Sequence, residues 1–204
     1  LNGGSGGSDR ILGFGGDDIL IGGDEPNGVN SQGAPLLDGD VMMGGTGNDV
    51  MSGDGGNDFM DGDEGNDRLY GGDGDDYLQG DPGDDLLDGG DGNDTLTDRY
   101  GLGDLRGGAG MDLLDAWSGV GSILDGGDGN DDLRAFEGAT FIGGAGNDVI
   151  QVWEADSPTT AGTVSGGDGD DYFLIYQTGV GDAAIYGGAG SDTYIFGRGY
   201  GVDV

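Results

Sequence analysis

Six nine-residue blocks follow one another without a gap from Gly44 to Thr97: GGTGNDVMS, GDGGNDFMD, GDEGNDRLY, GGDGDDYLQ, GDPGDDLLD and GGDGNDTLT. Each has glycine at position one, glycine at four, aspartate at six and a large apolar residue at eight. Glycine accepts positive φ and close backbone approach, so each block opens with a sharp turn whose carbonyls point inward. The closing triplet is a very short strand with its central residue on one face and its neighbours on the other. A strict period of this kind stacks copies into a solenoid in which each unit buries its apolar face on the next.

The pattern runs past the perfect stretch. Upstream, GSGGSDRIL from Gly4 and GFGGDDILI from Gly13 keep position-six aspartates at Asp9 and Asp18. A longer unit then opens at Gly22 and ends in DVMM at Asp40 to Met43; its interior, around 24–39, reads as one inserted loop or as a degenerate repeat plus a short loop. Downstream of Thr97, GGxGxD recurs at Gly107, Gly126, Gly143, Gly166 and Gly187, with steps of 18, 19, 17, 23 and 21 residues from Asp94 through Asp112, Asp131, Asp148 and Asp171 to Asp192. Eighteen residues are one full coil of two half-coils. Both half-coils carry the motif up to Thr97; one does thereafter. The expected fold is an all-β parallel β-roll, or β-helix solenoid, of about eleven coils and roughly 50 Å, with parallel strands about 4.8 Å apart. Its thin core is Met51, Met60, Leu69, Leu78, Leu87, Leu96, Leu105, Leu114, Leu133, Ile150, Phe173 and Tyr194, with return-strand residues Leu124, Phe141, Val164 and Ile185. Such a core is too thin to hold the fold unaided.

Composition says what the fold lacks. The chain carries 41 acidic residues against six basic ones, a net charge of −35, with 33% hydrophobic residues and 54 glycines. That balance ordinarily leaves a chain disordered. The strict period is compatible with it if divalent cations neutralise the aspartates and folding waits for them. Nucleic acid and acidic membrane surfaces would repel the chain and are excluded as direct partners. There is no cysteine and no histidine, which removes disulfides and the commonest catalytic bases and nucleophiles. No apolar run reaches the length of a membrane span. No pair of carboxylates stands in a distinct pocket, so no catalytic residue is assigned. The break in the repeating pattern at the C-terminus reads as that of a piece of a longer protein.

The aspartates and turn carbonyls point to calcium, which takes six to eight oxygen ligands in flexible geometry. One turn supplies about half of that number, and the turn one coil later the rest. Two rows follow. One runs through Asp49, Asp67 and Asp85; the other through Asp58, Asp76, Asp94, Asp112, Asp131, Asp148, Asp171 and Asp192, with Asp9 and Asp18 at the upstream end. Within a row each interior aspartate bridges two ions. The motif glycines belong to the same sites: Gly44, Gly45 and Gly47; Gly53 and Gly56; Gly62 and Gly65; Gly71, Gly72 and Gly74; Gly80 and Gly83; Gly89, Gly90 and Gly92; Gly107, Gly108 and Gly110; Gly126, Gly127 and Gly129; Gly143, Gly144 and Gly146; Gly166, Gly167 and Gly169; Gly187, Gly188 and Gly190. Asp17, Asp75, Asp84 and Asp170 at position five, and Asp61, Asp88 and Asp115 at position nine, read as solvated surface charge. At position three, Asp73, Asp91, Asp128 and Asp168 are expected to matter through their carbonyls.

After Thr97 a second regularity appears. Trp117, Phe136, Trp153 and Tyr176 each stand ten residues beyond a motif glycine, and Tyr100 eleven beyond Gly89. Strand alternation turns them outward as a ladder. The plain reading is that stacked aromatics replace calcium along that edge; the sharper one is a recognition surface for a glycan or a protein partner.

These blocks closely resemble the RTX, or haemolysin-type calcium-binding, nonapeptide repeat, for which G-G-x-G-x-D-x-U-x is an established signature. The resemblance covers nearly the whole chain, and SDTYIFGRGYGVDV from Ser191 is similar to the stretch that often follows such arrays. It implies a parallel β-roll with several calcium ions between turns, in a secreted or cell-surface bacterial protein exported by type I secretion machinery, unfolded in the cytosol and folded outside. The expected organisation is 1–97 with the motif on both edges, 98–195 with it on one, and 196–204 opening a C-terminal flanking segment. The expected function is a non-catalytic calcium-binding module that folds after export and stabilises or spaces a larger protein. The alternatives are an adhesin or lectin-like segment, or an accessory module of a secreted enzyme or toxin.

Overall fold

The structure, a computed structural model, describes residues 1–2, 9–24, 39–117, 121–136, 138–153, 162–177 and 184–198. These residues form nineteen short strands: β1 (Arg10–Gly15), β2 (Ile19–Asp24), β3 (Val41–Thr46), β4 (Val50–Gly55), β5 (Phe59–Glu64), β6 (Arg68–Asp73), β7 (Tyr77–Gln79), β8 (Asp85–Asp91), β9 (Thr95–Asp98), β10 (Gly103–Ala109), β11 (Leu113–Ala116), β12 (Ile123–Asp128), β13 (Asp132–Phe136), β14 (Thr140–Ala145), β15 (Val149–Trp153), β16 (Thr163–Asp168), β17 (Tyr172–Gln177), β18 (Ala184–Ala189) and β19 (Thr193–Arg198). Odd-numbered strands make one ten-stranded sheet in chain order and even-numbered strands a nine-stranded sheet. All pairing is parallel; Met60 lies beside Leu78 and Leu78 beside Leu96, one 18-residue coil apart. This is the parallel β-roll. Ten strands, not eleven, fit in the longer sheet because coils beyond the perfect repeats are longer than 18 residues.

The long unit after Gly22 is settled by register. β1 pairs directly with β3 and β2 with β4, so Arg10 lies beside Val41 and Ile19 beside Val50. No further coil fits between them. One coil of 31 residues takes the place of an 18-residue one, and its extra length falls at residues 25–38, outside the described residues. The segments 154–161 and 199–204 also lie outside them.

Alternation along each strand sends one residue in and the next out. Leu20, Met51, Leu69, Leu87, Leu105, Leu124, Phe141 and Val164 line the inner face of one sheet; Met42, Met60, Leu78, Leu96, Leu114, Leu133, Ile150 and Phe173 line the other, all buried. At ~1.5–3 kcal/mol per buried side chain the two columns are the chief apolar source of stability. Ile185 is only partly buried. Tyr194 departs from expectation: it is 41% exposed. Phe173 stacks on one of its faces at 4.8 Å, and no described strand covers the other.

Candidate metal centre

The turns between the two sheets form two edges, and on each the position-six aspartates make an unbroken hydrogen-bonded ladder. On one edge the amide of Asp18 donates to Oδ1 of Asp49, Asp49 to Asp67, and Asp67 to Asp85, each within 2.7–2.8 Å. On the other the chain of donors and acceptors runs Asp9, Asp40, Asp58, Asp76, Asp94, Asp112, Asp131, Asp148, Asp171 and Asp192. The partners are one coil apart, as the two expected rows require. Asp40 is a member that the nine-residue motif does not mark. It follows Gly39 directly and lacks the preceding glycine pattern; its signal in the sequence is the apolar triplet behind it.

A second ladder runs alongside with the opposite polarity. The amide of Asn66 donates back to Oδ1 of Asn48, Asp84 to Asn66, Asn93 to Asp75 and Ser191 to Asp170. The position-five carboxylates are exposed, as expected, but Asp17, Asp75, Asp84 and Asp170 are also acceptors that clamp consecutive turns. At position three the carbonyls of Asp73, Asp91, Asp128 and Asp168 accept from the amides of Gly56, Gly74, Gly110 and Gly146 in the preceding coil.

Glycine at positions one and four is a steric requirement. A Cβ on Gly80 would lie 2.5 Å from Oδ2 of Asp85. Gly74, at φ +137°, would drive a Cβ into the carbonyl of Gly56 one coil before. The turn therefore closes around the carboxylate and leaves no room for anything else on the protein to reach it.

The consequence is a row of orphaned acceptors. Oδ2 of Asp49, Asp67, Asp76, Asp85, Asp94, Asp112, Asp131, Asp148 and Asp171 is buried and has no hydrogen-bond partner. A buried carboxylate oxygen without a partner is costly unless a cation compensates it. Burial accordingly pushes the Asp76 carboxyl up to about 8 and that of Asp85 to about 7. It holds Asp67, Asp94, Asp112, Asp131 and Asp148 at about 6. No arginine neutralises them: the ion pairs among the described residues, Arg106–Asp104 and Arg134–Asp132, lie on the outer faces. The donor set is carboxylate and backbone carbonyl, all hard oxygen, repeated every coil, and it fits calcium.

Residues 4–27, 37–69, 61–96, 136–154 and 177–202 match the model of the RTX calcium-binding nonapeptide repeat, together more than half of the chain. The chain belongs to the RTX calcium-binding repeat family. Its repeats are a structural calcium-binding module. No curated protein matches the chain. Along the RTX roll the ladder through Asp112 and Asp131 continues between the matched segments with unchanged hydrogen bonding.

Beyond Asp85 the first row changes character. Register carries the position of Asp85 to Gly103 in the next coil, and Ser122, Ala139 and Gly162 follow in the coils after it. Opposite them, the first-glycine position becomes Ala116, Ala135, Val152 and Ile175, all buried. Apolar side chains thus fill the space that a carboxylate occupies elsewhere.

Outside this apolar column stands the aromatic ladder, with one correction. Phe136 lies beside Trp153 with rings 5.7 Å apart, edge to face. Trp117 and Tyr176 extend the row, 52% and 40% exposed. Tyr100 is not in it; it bridges to Pro82. The ladder position in that coil belongs to Arg99, whose guanidinium sits over the Trp117 ring at 5.8 Å. The register shifts because the turn after Asp98 keeps the motif's length. Two position-nine aspartates also differ from solvated surface charge. Asp115 is half-buried and bonded by the Trp117 side chain, with Arg134 and Arg99 nearby. Asp61 stands with Asp63 and Asp81, their carboxylate oxygens within 4.8 Å of one another, and burial followed by Asp63 raises its pKa.

Proposed function

We propose that this RTX roll is a calcium-triggered folding module of a secreted bacterial protein, which it stabilises or spaces once outside the cell. The observation that carries the reading is the row of buried, partnerless Oδ2 atoms in consecutive coils. Asp49, Asp67 and Asp85 serve as ligands on one edge. Asp58, Asp76, Asp94, Asp112, Asp131, Asp148 and Asp171 serve on the other, with Asp40 joining that row and Asp9, Asp18 and Asp192 at the ends. Carbonyls of the motif glycines complete each site. When bound, calcium supplies compensating charge between successive turns. The chain's own residues fix the spacing: the Oδ1 atoms are already committed to amides one coil away, so the Oδ2 atoms are held in place before an ion arrives.

The charge of −35 keeps the ion-free chain expanded. Calcium binding free energy then becomes folding free energy. Because a coil touches only its neighbours, folding spreads along the rod. In the second half, Trp117, Phe136, Trp153 and Tyr176 cover the edge that lacks the motif. Equilibrium dialysis tests the reading: about ten calcium ions per chain are expected from the number of stacked turns, with magnesium failing to displace them. A chain that retains none at millimolar calcium would overturn it.

A further inference from the structure

The first aspartate row does not end where the motif ends. In the turn Gly80–Asp85, glycine holds position one and aspartate position six. In the next turn on that edge, Asp98–Gly103, the two residue types have changed places. Register establishes the equivalence: Gly103 lies beside Asp85, and Asp98 stands at the position that Ala116 takes one coil later. The rest of the turn keeps the motif geometry. The amide of Gly83 donates to the carbonyl of Tyr100 at 2.8 Å, as that of Gly65 does to Pro82. The amide of Leu102 continues the position-five ladder to Asp84. Gly101 has φ +125°.

Asp98 is 1% exposed. Its Oδ1 accepts from the amide of Tyr100 at 3.2 Å, and its Oδ2 has no partner. A Cβ on Gly103 would lie 2.7 Å from that Oδ2, the counterpart of the contact between Gly80 and Asp85. The carboxylate thus fills the usual place from the other side of the turn. One coil earlier, Oδ2 of Asp85 is equally buried and partnerless.

We propose that Asp98 is the terminal calcium ligand of this row, closing with Asp85 one ion site that the nine-residue motif does not encode. The proposal rests on the calcium reading above. It explains why the apolar replacement of the position-one glycine begins only at Ala116 and not one coil earlier.

Calcium binding by equilibrium dialysis tests it on the whole chain. Asp98→Asn keeps the acceptor for Tyr100 and removes the charge; it is expected to weaken one ion at least tenfold and leave the others. Exchanging the two residues, Asp98→Gly with Gly103→Asp, restores the motif and is expected to return the wild-type count. A wild-type count and midpoint in Asp98→Asn, while Asp85→Asn loses an ion, would overturn the proposal. If Asp98→Asn does not fold in millimolar calcium, the exchanged variant decides. Regained folding with the full count supports the assignment, and failure to fold or a missing ion overturns it. A wild-type chain that binds no calcium would instead overturn the reading beneath it.

Discussion

Replacing Asp112 by alanine is expected to remove two calcium ions and to cut the rod's cooperative folding in two. Asp112 lies where a single aspartate row remains, so no second row compensates. Its Oδ1 accepts from the amide of Asp94 at 2.8 Å, and its own amide donates to Asp131. Its Oδ2 is one of the buried, partnerless atoms. The substitution leaves a buried amide unpaired, which costs about 1–3 kcal/mol. It also removes a ligand from the ions on both sides. Loss of one partner from a buried charge pair costs ~3–5 kcal/mol. Denaturant unfolding in saturating calcium measures the effect. Asp104→Ala is the control, because its pair with Arg106 is largely exposed and worth under about 1 kcal/mol. Equal effects of the two substitutions would contradict the ligand role.

Acidification from pH 8 to 5 is expected to raise the calcium midpoint for folding more than tenfold. The buried carboxyls of the folded, ion-free roll titrate well above their usual value of 3.8, chiefly because burial disfavours the charged form: Asp76 near 8, Asp85 near 7, and Asp67, Asp94, Asp112, Asp131 and Asp148 near 6. A raised folded-state pKa means that the ion-free roll binds protons more tightly than the unfolded chain. Its contribution to stability is fully present below pH 3.8 and is lost as pH rises through 6 to 8. Above that window the ion-free roll carries uncompensated buried charge and gives way to the expanded chain. Calcium needs the ionised form, so within the same window protons and calcium compete for the same oxygens. Calcium titrations followed by circular dichroism at pH 8, 7, 6 and 5 check this. A midpoint that does not move would show that the buried aspartates are not where calcium binds.

Much of this architecture is legible in the repeat itself. The 18-residue coil follows from the six blocks alone, and position-eight residues such as Leu69, Leu78 and Leu87 are all buried, because one apolar residue per half-coil has only one face to occupy. The rows from Asp49 to Asp85 and from Asp58 to Asp192 follow from the same arithmetic. Illegible are the places where the chain departs from the repeat yet keeps its backbone. Asp40 sits behind a long insertion, so its membership shows only in the pairing of Val41 with Arg10. Asp98 occupies a glycine position, and only register reveals it as a displaced carboxylate. Counting from Gly89 favours Tyr100 for the aromatic ladder, whereas the retained turn length gives the place to Arg99. Asp61 and Asp115 look alike in sequence; three-dimensional neighbours set one beside Asp63 and Asp81 and the other under Trp117.

Without calcium to neutralise its buried aspartates, this chain is expected to have no stable fold. The decisive measurement is far-UV circular dichroism of the chain in excess chelator, followed by titration with calcium and separately with magnesium. The expected result is a disordered spectrum that converts steeply to β structure with calcium and not with magnesium at the same concentration. A full β spectrum already present in chelator at pH 8 would contradict this dependence, since the apolar columns and the aromatic edge would then suffice to hold the roll.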